Sequence, residues 1–596
     1  MKTSGHFKII PQPKHFDVSN ELVFFEPLSL KAIKDEHLPE QGYCLVIKQG
    51  EVILNYKDDF GLYYGNQTLE QIKQTKSAAE VLIPLGKIED WPSIKTRGMM
   101  LDISRTKVPS LTTLIKIIDL LSTLRYNHLE LYTEHTFAYT NHKEVWEKAS
   151  PYSAEEILEI KQYCNTKMIE LSANQNTLGH MERWLIHERY KNLGIKIGNV
   201  MSPYGLMRPA TTINPENPNA RLLVTELLEE LVPLFDSNSV NVGLDEPFEM
   251  DPAKHSTWGQ YLTFLRDLPI LKNKQLLIWS DMLNIHPDLL NNIPENTTVV
   301  EWGYEYNSPF KKNLETFSNR AIDHWVAPGT SSWLSITGRF SNCMENIKTA
   351  VINAVDFGSS GFLNTDWGDF GHLQWWPISL PGIAIGGELS WAGKDFANAY
   401  DISNAKETLN SIIFPQLTHS DEITNCLIDM SNVNEQIKQP FPNLGVLALT
   451  LYFPQLHVGS GLTTSLTQDE VENCLNSLDQ VTFKLSQFDT SDEILQMISG
   501  AKLMQIVCLD NIFRLKGTGH IKDVSDKDRM LLSKKLGDTL KEHEILWNKL
   551  YRPGGLPESL AWLNHLKAVY DTGAPDPTWS GPLVCLHNPP SDTRSQ

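Results

Sequence analysis

The sequence predicts an α/β protein built on a (β/α)8 TIM barrel, with a small α+β domain before it and a mainly helical C-terminal region after it. Three observations point there. Between about 94 and 395, eight strand-like runs alternate with helical patterns. No GxGxxG follows the first of those strands, which weakens an open doubly wound sheet. From about 396 onward the strand signal stops and long helical stripes take over. The expected domains are therefore 1–92, 93–395 and 396–596.

In the first domain, Tyr43–Lys48 and Glu51–Tyr56 read as short strands, and a helical segment runs near Tyr64–Lys76. Asp90-Trp91-Pro92 punctuates its end. The eight barrel strands are expected at Gly98–Ile103, His128–Tyr132, Met168–Ser172, Ser239–Leu244, Gln275–Trp279, Thr297–Trp302, His324–Ala327 and Gly361–Asn364. Between them, Leu111, Leu114, Ile115, Ile118, Leu121 and Leu124 hold an i, i+3, i+4 stripe. Ser153 and Glu156 form a capping box ahead of Ile157, Ile160 and Cys164. Arg221–Phe235, Tyr261–Leu271 and Met344–Phe357 fill later helical slots. In the last region Ala405–Phe414, Glu470–Leu485, Asp492–Leu515 and Lys527–Leu550 are expected to be helices, and the last twenty residues are expected to be loosely held.

The chain of 596 residues carries 52 basic and 72 acidic side chains, a formal charge of −20. A nucleic-acid partner needs clustered Lys and Arg and is not expected. No stretch approaches the roughly 18 apolar residues of a membrane span, so no membrane partner is expected either. The first residues lack the apolar run of a secretory signal, which makes a cytoplasmic location the expectation. The seven cysteines are odd in number, widely spaced and without a CxxC, so buried free thiols are expected. His135 and His180 have no metal-ligand spacing, and neither metal nor cofactor is expected.

In such a barrel, chemistry sits at the C-terminal strand ends. Those ends read Asp102-Ile103-Ser104-Arg105, Glu134-His135, Asn174 to His180, Asp245-Glu246, Trp279-Ser280-Asp281, Glu301-Trp302, Ser331-Ser332-Trp333 and Asp366-Trp367-Gly368-Asp369. Eight of the fifteen tryptophans lie between 279 and 391, so indole and carboxylate converge on one face. A sugar needs that combination, because its C–H face stacks on indole while its hydroxyls bond to charged groups. Asp245-Glu246 is the sharpest feature. Neighbours on a pleated strand point to opposite faces, so both reach one ligand only if the strand ends or distorts there. Adjacent carboxylates are poorly placed as the usual retaining pair, which flanks the sugar about 5–5.5 Å apart. One acid would then donate the proton, and the substrate's own 2-acetamido group could supply the nucleophile.

With these residues in place, the chain resembles glycoside hydrolase family 20, the β-N-acetylhexosaminidases, over about residues 8 to 395. The resemblance rests on Ile9-Ile10-Pro11-Gln12-Pro13, on Gly61 to Leu69 as GxxYGxQTL, on Arg97 to Arg105 as RGxxLDxSR, and on Gly243-Leu244-Asp245-Glu246 as the catalytic GGDE. It implies exo-acting, retaining removal of terminal β-linked GlcNAc or GalNAc through an oxazolinium. Glu246 would be acid and then base, and Asp245 would hold the acetamido N–H. Arg97 would bind the O3/O4 side of the terminal sugar. Asp102 and His180 would complete the substrate-binding set as a charge network behind Glu246. Trp279, Trp302 and Trp367 would line the acetamido subsite, Trp333 stands at the strand-seven end, and Asp369 would bind a hydroxyl. An oligosaccharide or glycoconjugate is the implied partner, and a homodimer through the C-terminal region is an open option.

The departures mark a divergent branch. Leu244 replaces the second glycine of GGDE, Asn176 stands where an Asp pairs with the family's His, and Glu130-Leu131-Tyr132 replaces His-Trp-His. Two alternatives stay open: a non-catalytic saccharide-binding protein on this fold, and a conventional retaining glycosidase taking its nucleophile from Glu134, Asp281, Glu301, Asp366 or Asp369.

Overall fold

The computed structural model describes residues 9–583 apart from 26–28, 78–79, 202–206, 416, 440–441, 578 and 580, and leaves aside the side chains of 74–77 and 80. Most of the twenty-residue tail read as loosely held, with Cys585, lies outside the described residues.

Eight parallel strands close into a barrel. They are strand one Thr96–Asp102, two His128–Tyr132, three Glu170–Asn174, four Ser239–Asn241, five Gln275–Trp279, six Thr297–Trp302, seven His324–Ala327 and eight Gly361–Asp366. Strand eight pairs with strand one from Gly361↔Thr96 to Asp366↔Leu101, and strand three pairs with strand four. These strands are buried almost throughout, so they read as apolar runs rather than as an alternation. Helices cover them, and in the first of these Ile117 rather than the expected Ile115 turns inward. Leu111–Thr123 starts at Ser110, which accepts from Thr113 N, and buries Leu114, Ile117, Ile118 and Leu121. The Ser153–Glu156 capping box is present in both directions.

The N-terminal sheet holds six strands around the antiparallel pair His15–Phe24 and Glu80–Asp90. Its helix spans Asp59–Ile72, five residues ahead of the start read from the sequence. Asp58 accepts from Gly61 N and opens the helix early, and the chain then turns into the strand Gln74–Ser77.

The Trp376–Ala392 helix closes the barrel's last slot. It is buried on all sides, so it carries no amphipathic stripe to read from sequence. The C-terminal region builds its own core from Ser420–Ser431, Gln468–Leu485, Asp492–Leu515, Asp526–Leu550 and Leu556–Thr572, and joins the barrel through Ile336, Leu373 and Ile378. The six described cysteines are buried and free. Among the described residues no helix is long and apolar enough to cross a membrane.

Glu388 lies buried in that Trp376–Ala392 helix, where its Oε2 accepts from Thr408 Oγ1 (2.7 Å) and Tyr400 Oη (3.0 Å). Burial pushes its carboxyl from 4.5 up to about 7 despite those donors. The folded chain therefore holds this proton more tightly than the unfolded one. The stability it contributes is full below the unfolded value and is lost as pH rises toward 7, by on the order of 3 kcal/mol. Glu388→Gln should flatten that part of the stability–pH curve, as read by chemical unfolding between pH 5 and 8. An unchanged slope would count against a proton being held there.

Candidate active site

The site forms where strand four stops. Regular pairing ends at Asn241, whose Oδ1 accepts from Gly243 N (3.0 Å). Gly243, Leu244 and Glu246 then take φ of 73°, 73° and 45°. Left-handed backbone costs a non-glycine residue roughly 1–2 kcal/mol, and such strain gathers at functional sites. Here it breaks the pleat's alternation. A single atom, His180 Nε2, lies 2.9 Å from Asp245 Oδ2 and 3.6 Å from Glu246 Oε2. Both carboxylates thus reach the same place. Two glycines permit the packing: a Cβ on Gly243 would lie 2.2 Å from Asn176 Oδ1, and one on Gly179 2.3 Å from the Asp245 carbonyl.

Asp245 is buried, and its second oxygen, Oδ1, has no partner. Burial raises the Glu246 pKa; His180 opposes the shift, and Asp245 adds to it. Asp281 Oδ2 accepts from Glu246 N (3.0 Å), and burial together with Asp245 pushes its carboxyl up to about 7. For His180, burial disfavours the imidazolium, while Asp245 pulls its pKa upward. Its Nδ1 faces Arg105 Nη2 at 3.3 Å. The net shift is upward, to about 9, which favours the imidazolium, and Nε2 donates to Asp245.

Arg97 is not in this site. It is the second residue of strand one, at the opposite end of the barrel, and it is fully buried. Four of its five N–H donors go to the carbonyls of Arg125, Ile94 and Lys95 and to the Tyr64 hydroxyl, and its complete burial keeps it away from a ligand. The arginine at the site is Arg105, just past the C-terminal end of the same strand. Its nitrogens lie 3.2 Å from Asp102 Oδ2, 3.2 Å from Glu134 Oε1 and 3.9 Å from Asp369 Oδ1. Its guanidinium packs over Tyr132 (4.7 Å) and Trp367 (5.1 Å). The rule that ligands meet the C-terminal strand ends selects Arg105 over Arg97 from sequence alone.

Asp102 has both oxygens taken by the protein. It is buried, with Oδ1 accepting from Ser104 N and Arg105 N and Oδ2 from Gly368 N and Arg105 Nη1. It positions Arg105. Asn176 does not pair with His180: its Nδ2 donates to the Tyr132 hydroxyl (2.5 Å), and Tyr132 donates to Glu134 (3.1 Å).

Trp279, Trp333 and Trp367 lie in one buried aromatic cluster with Tyr132 and Tyr304, and Trp302 packs on it half-buried. Trp302 stacks on Tyr304 at 5.3 Å, Trp333 meets Tyr304 edge-on at 5.1 Å, and Trp279 lies 6.1 Å from Trp367. Trp367 Nε1 donates to the Tyr304 hydroxyl (2.9 Å). Tyr132, Tyr304 and Arg105 have no role assigned from the sequence; Tyr132 stands in the Glu130-Leu131-Tyr132 stretch that replaces His-Trp-His, and Tyr304 lies outside the motifs.

Two of the spare acids point away. Glu301 accepts from Asn284 and Asn313, and Asp366 from Thr330, Ser332 and Ser379. Elsewhere, His255, His286 and Asp288 bring ligand-type atoms within 4.8 Å. The two imidazoles stack in near-parallel planes with their centroids 4.3 Å apart, so no single ion lies in both ring planes.

Two family models match the chain: "Glycosyl hydrolase family 20, domain 2" over residues 18–91 and "Glycosyl hydrolase family 20, catalytic domain" over 95–353, together more than half of its length. The β-hexosaminidase subunit alpha of Rattus norvegicus is 24% identical over 308 residues, 47% of this chain and 56% of that protein. A β-hexosaminidase of Akkermansia muciniphila is 23% identical over 41% of this chain and 53% of that protein. The chain thus spans about half the length of the curated relatives it matches. The solved structure of a Flavobacterium johnsoniae chitobiase shares the fold with a TM-score of 0.56 at 17% identity, covering 93% of this chain and 95% of that one.

Proposed function

The chain belongs to glycoside hydrolase family 20, and from there we propose that it is an exo-acting β-N-acetylhexosaminidase that works with retention by substrate-assisted catalysis. The observation that carries this reading is the state of Asp245. One oxygen is held by His180 and the other is buried without a partner, beside Glu246. An acetamido N–H fits that open acceptor.

In this reading Glu246 gives its proton to the departing glycosidic oxygen, and its raised pKa keeps the proton available. The acetamido carbonyl oxygen forms a bond to the anomeric carbon as the aglycone leaves. Asp245 accepts the N–H, whose charge grows as the oxazolinium forms. Glu246 then takes a proton from water, which opens the ring from the face the aglycone left. Arg105 and Asp369 bond the sugar's hydroxyls, and the tryptophans pack against its ring and acetamido methyl.

A carboxylate nucleophile has less support. Glu301 accepts from Asn284 and Asn313, Asp366 accepts three hydroxyls on Oδ1, and Glu134 is tied to Arg105 and Tyr132. The test is a panel of aryl β-glycosides of GlcNAc, GalNAc and glucose. Cleavage of an acetamido sugar and not of the glucoside is the expected result, and it names the epimer. Glucoside cleavage would move the chemistry to a second carboxylate. Sugar binding by calorimetry without any cleavage would make the chain a binding protein.

A further inference from the structure

Three polar arms of the site stand on loops outside the strands. Arg105 follows strand one, His180 follows strand three and Asp369 follows strand eight. One stretch of the C-terminal region, residues 552–562, meets all three loops. On the first, Arg552 N donates to the Val108 carbonyl (2.8 Å). Gly555 lies so close to Thr106, the neighbour of Arg105, that a Cβ on it would stand 1.8 Å from the Thr106 carbonyl oxygen. Thr106 itself has φ 82°. On the last loop, Ser559 Oγ donates to the Gly371 carbonyl (2.6 Å), two residues past Asp369. On the middle loop, Glu558 takes both terminal nitrogens of Arg183, at 2.6 and 2.7 Å, across 375 positions of chain. Arg183 comes three residues after His180, in the short turn Glu182–Leu185.

We infer that residues 552–562 are a positioning element of the active site, with Glu558 setting the His180 loop and Gly555 the Arg105 loop. The inference deepens the hydrolase reading and rests on it. A bidentate Arg–carboxylate pair fixes orientation as well as distance. His180 touches Asp245 and Glu246, so its misplacement acts on the chemical step. Arg105 faces the sugar's hydroxyls, so its misplacement acts on binding.

The test uses the full chain, with rates normalised to folded protein. Glu558→Gln keeps the shape and removes the charge. It should lower kcat roughly tenfold with KM within about twofold, since a displacement near 1 Å can cost up to about 10²-fold. Gly555→Ala must push Thr106 away, and should raise KM roughly tenfold with a smaller effect on kcat. Where Gly555→Ala does not fold, Arg183→Lys replaces it: it keeps the charge, loses the fork, and should repeat the Glu558→Gln pattern without adding to it in the double variant. A merely structural role lowers Tm and leaves kcat and KM per folded molecule unchanged, and that result would overturn the inference. If the wild type cleaves no N-acetylhexosaminide, the hydrolase reading fails by itself. The positioning is then read from the NMR titration of His180 with labelled histidine: a shifted titration in Glu558→Gln supports it, and an unmoved one overturns it.

Discussion

Glu246→Gln should lower turnover of a substrate with a poor leaving group, such as a disaccharide, by roughly 10²–10⁴-fold. The amide matches the carboxyl in size but has no acidic proton to transfer. An aryl glycoside whose leaving group departs unaided should lose much less in its first step. The pH profile carries the same information. Burial raises the Glu246 carboxyl, with Asp245 adding to the effect against His180. The acid form is therefore present at low pH and lost as pH rises through the raised value, which gives wild-type kcat/KM on the disaccharide an alkaline limb. The variant should lack that limb. Equal rates for wild type and Glu246→Gln on the disaccharide would remove this residue from the chemistry.

Arg105→Lys should raise KM, and lower kcat/KM by roughly 10–100-fold, because hydrogen bonds to charged groups contribute about 1.5–3 kcal/mol and lysine lacks the planar fork. The effect should fall on binding, since Arg105 sits against Asp102, Glu134 and Asp369 at the strand ends. Arg97→Lys is the matched control. Arg97 joins the barrel floor to Tyr64 of the small domain, so its loss should lower Tm and leave KM alone. A KM increase from the Arg97 variant without one from Arg105→Lys would reverse the assignment made here.

The barrel was readable because its physics is local. Strands two, five, six and seven match the sequence ranges residue for residue, since short apolar runs between turn residues have few other conformations open to them. The Asp245-Glu246 pair was equally visible, together with the requirement that strand four distort to use both. What the sequence could not show is how the distortion is made. Left-handed Leu244 and Glu246 have no local signature, and they are held by contacts from Asn176 and Gly179 on another loop. The motif holds two arginines in one nonapeptide; their places before and after strand one separate them, and burial and hydrogen bonding agree, with Arg97 under the barrel and Arg105 over it. The Trp376–Ala392 helix escaped because a segment buried on every side has no polar face to give it a period. Glu558 escaped for a related reason. Its partner lies 375 positions away, and a pairing that distant leaves no trace in spacing or composition. Periodicity and motif order thus carry the barrel and the acid pair, because both depend on neighbours in the chain. The strained turn and the hold of the C-terminal region on the site depend on neighbours in space.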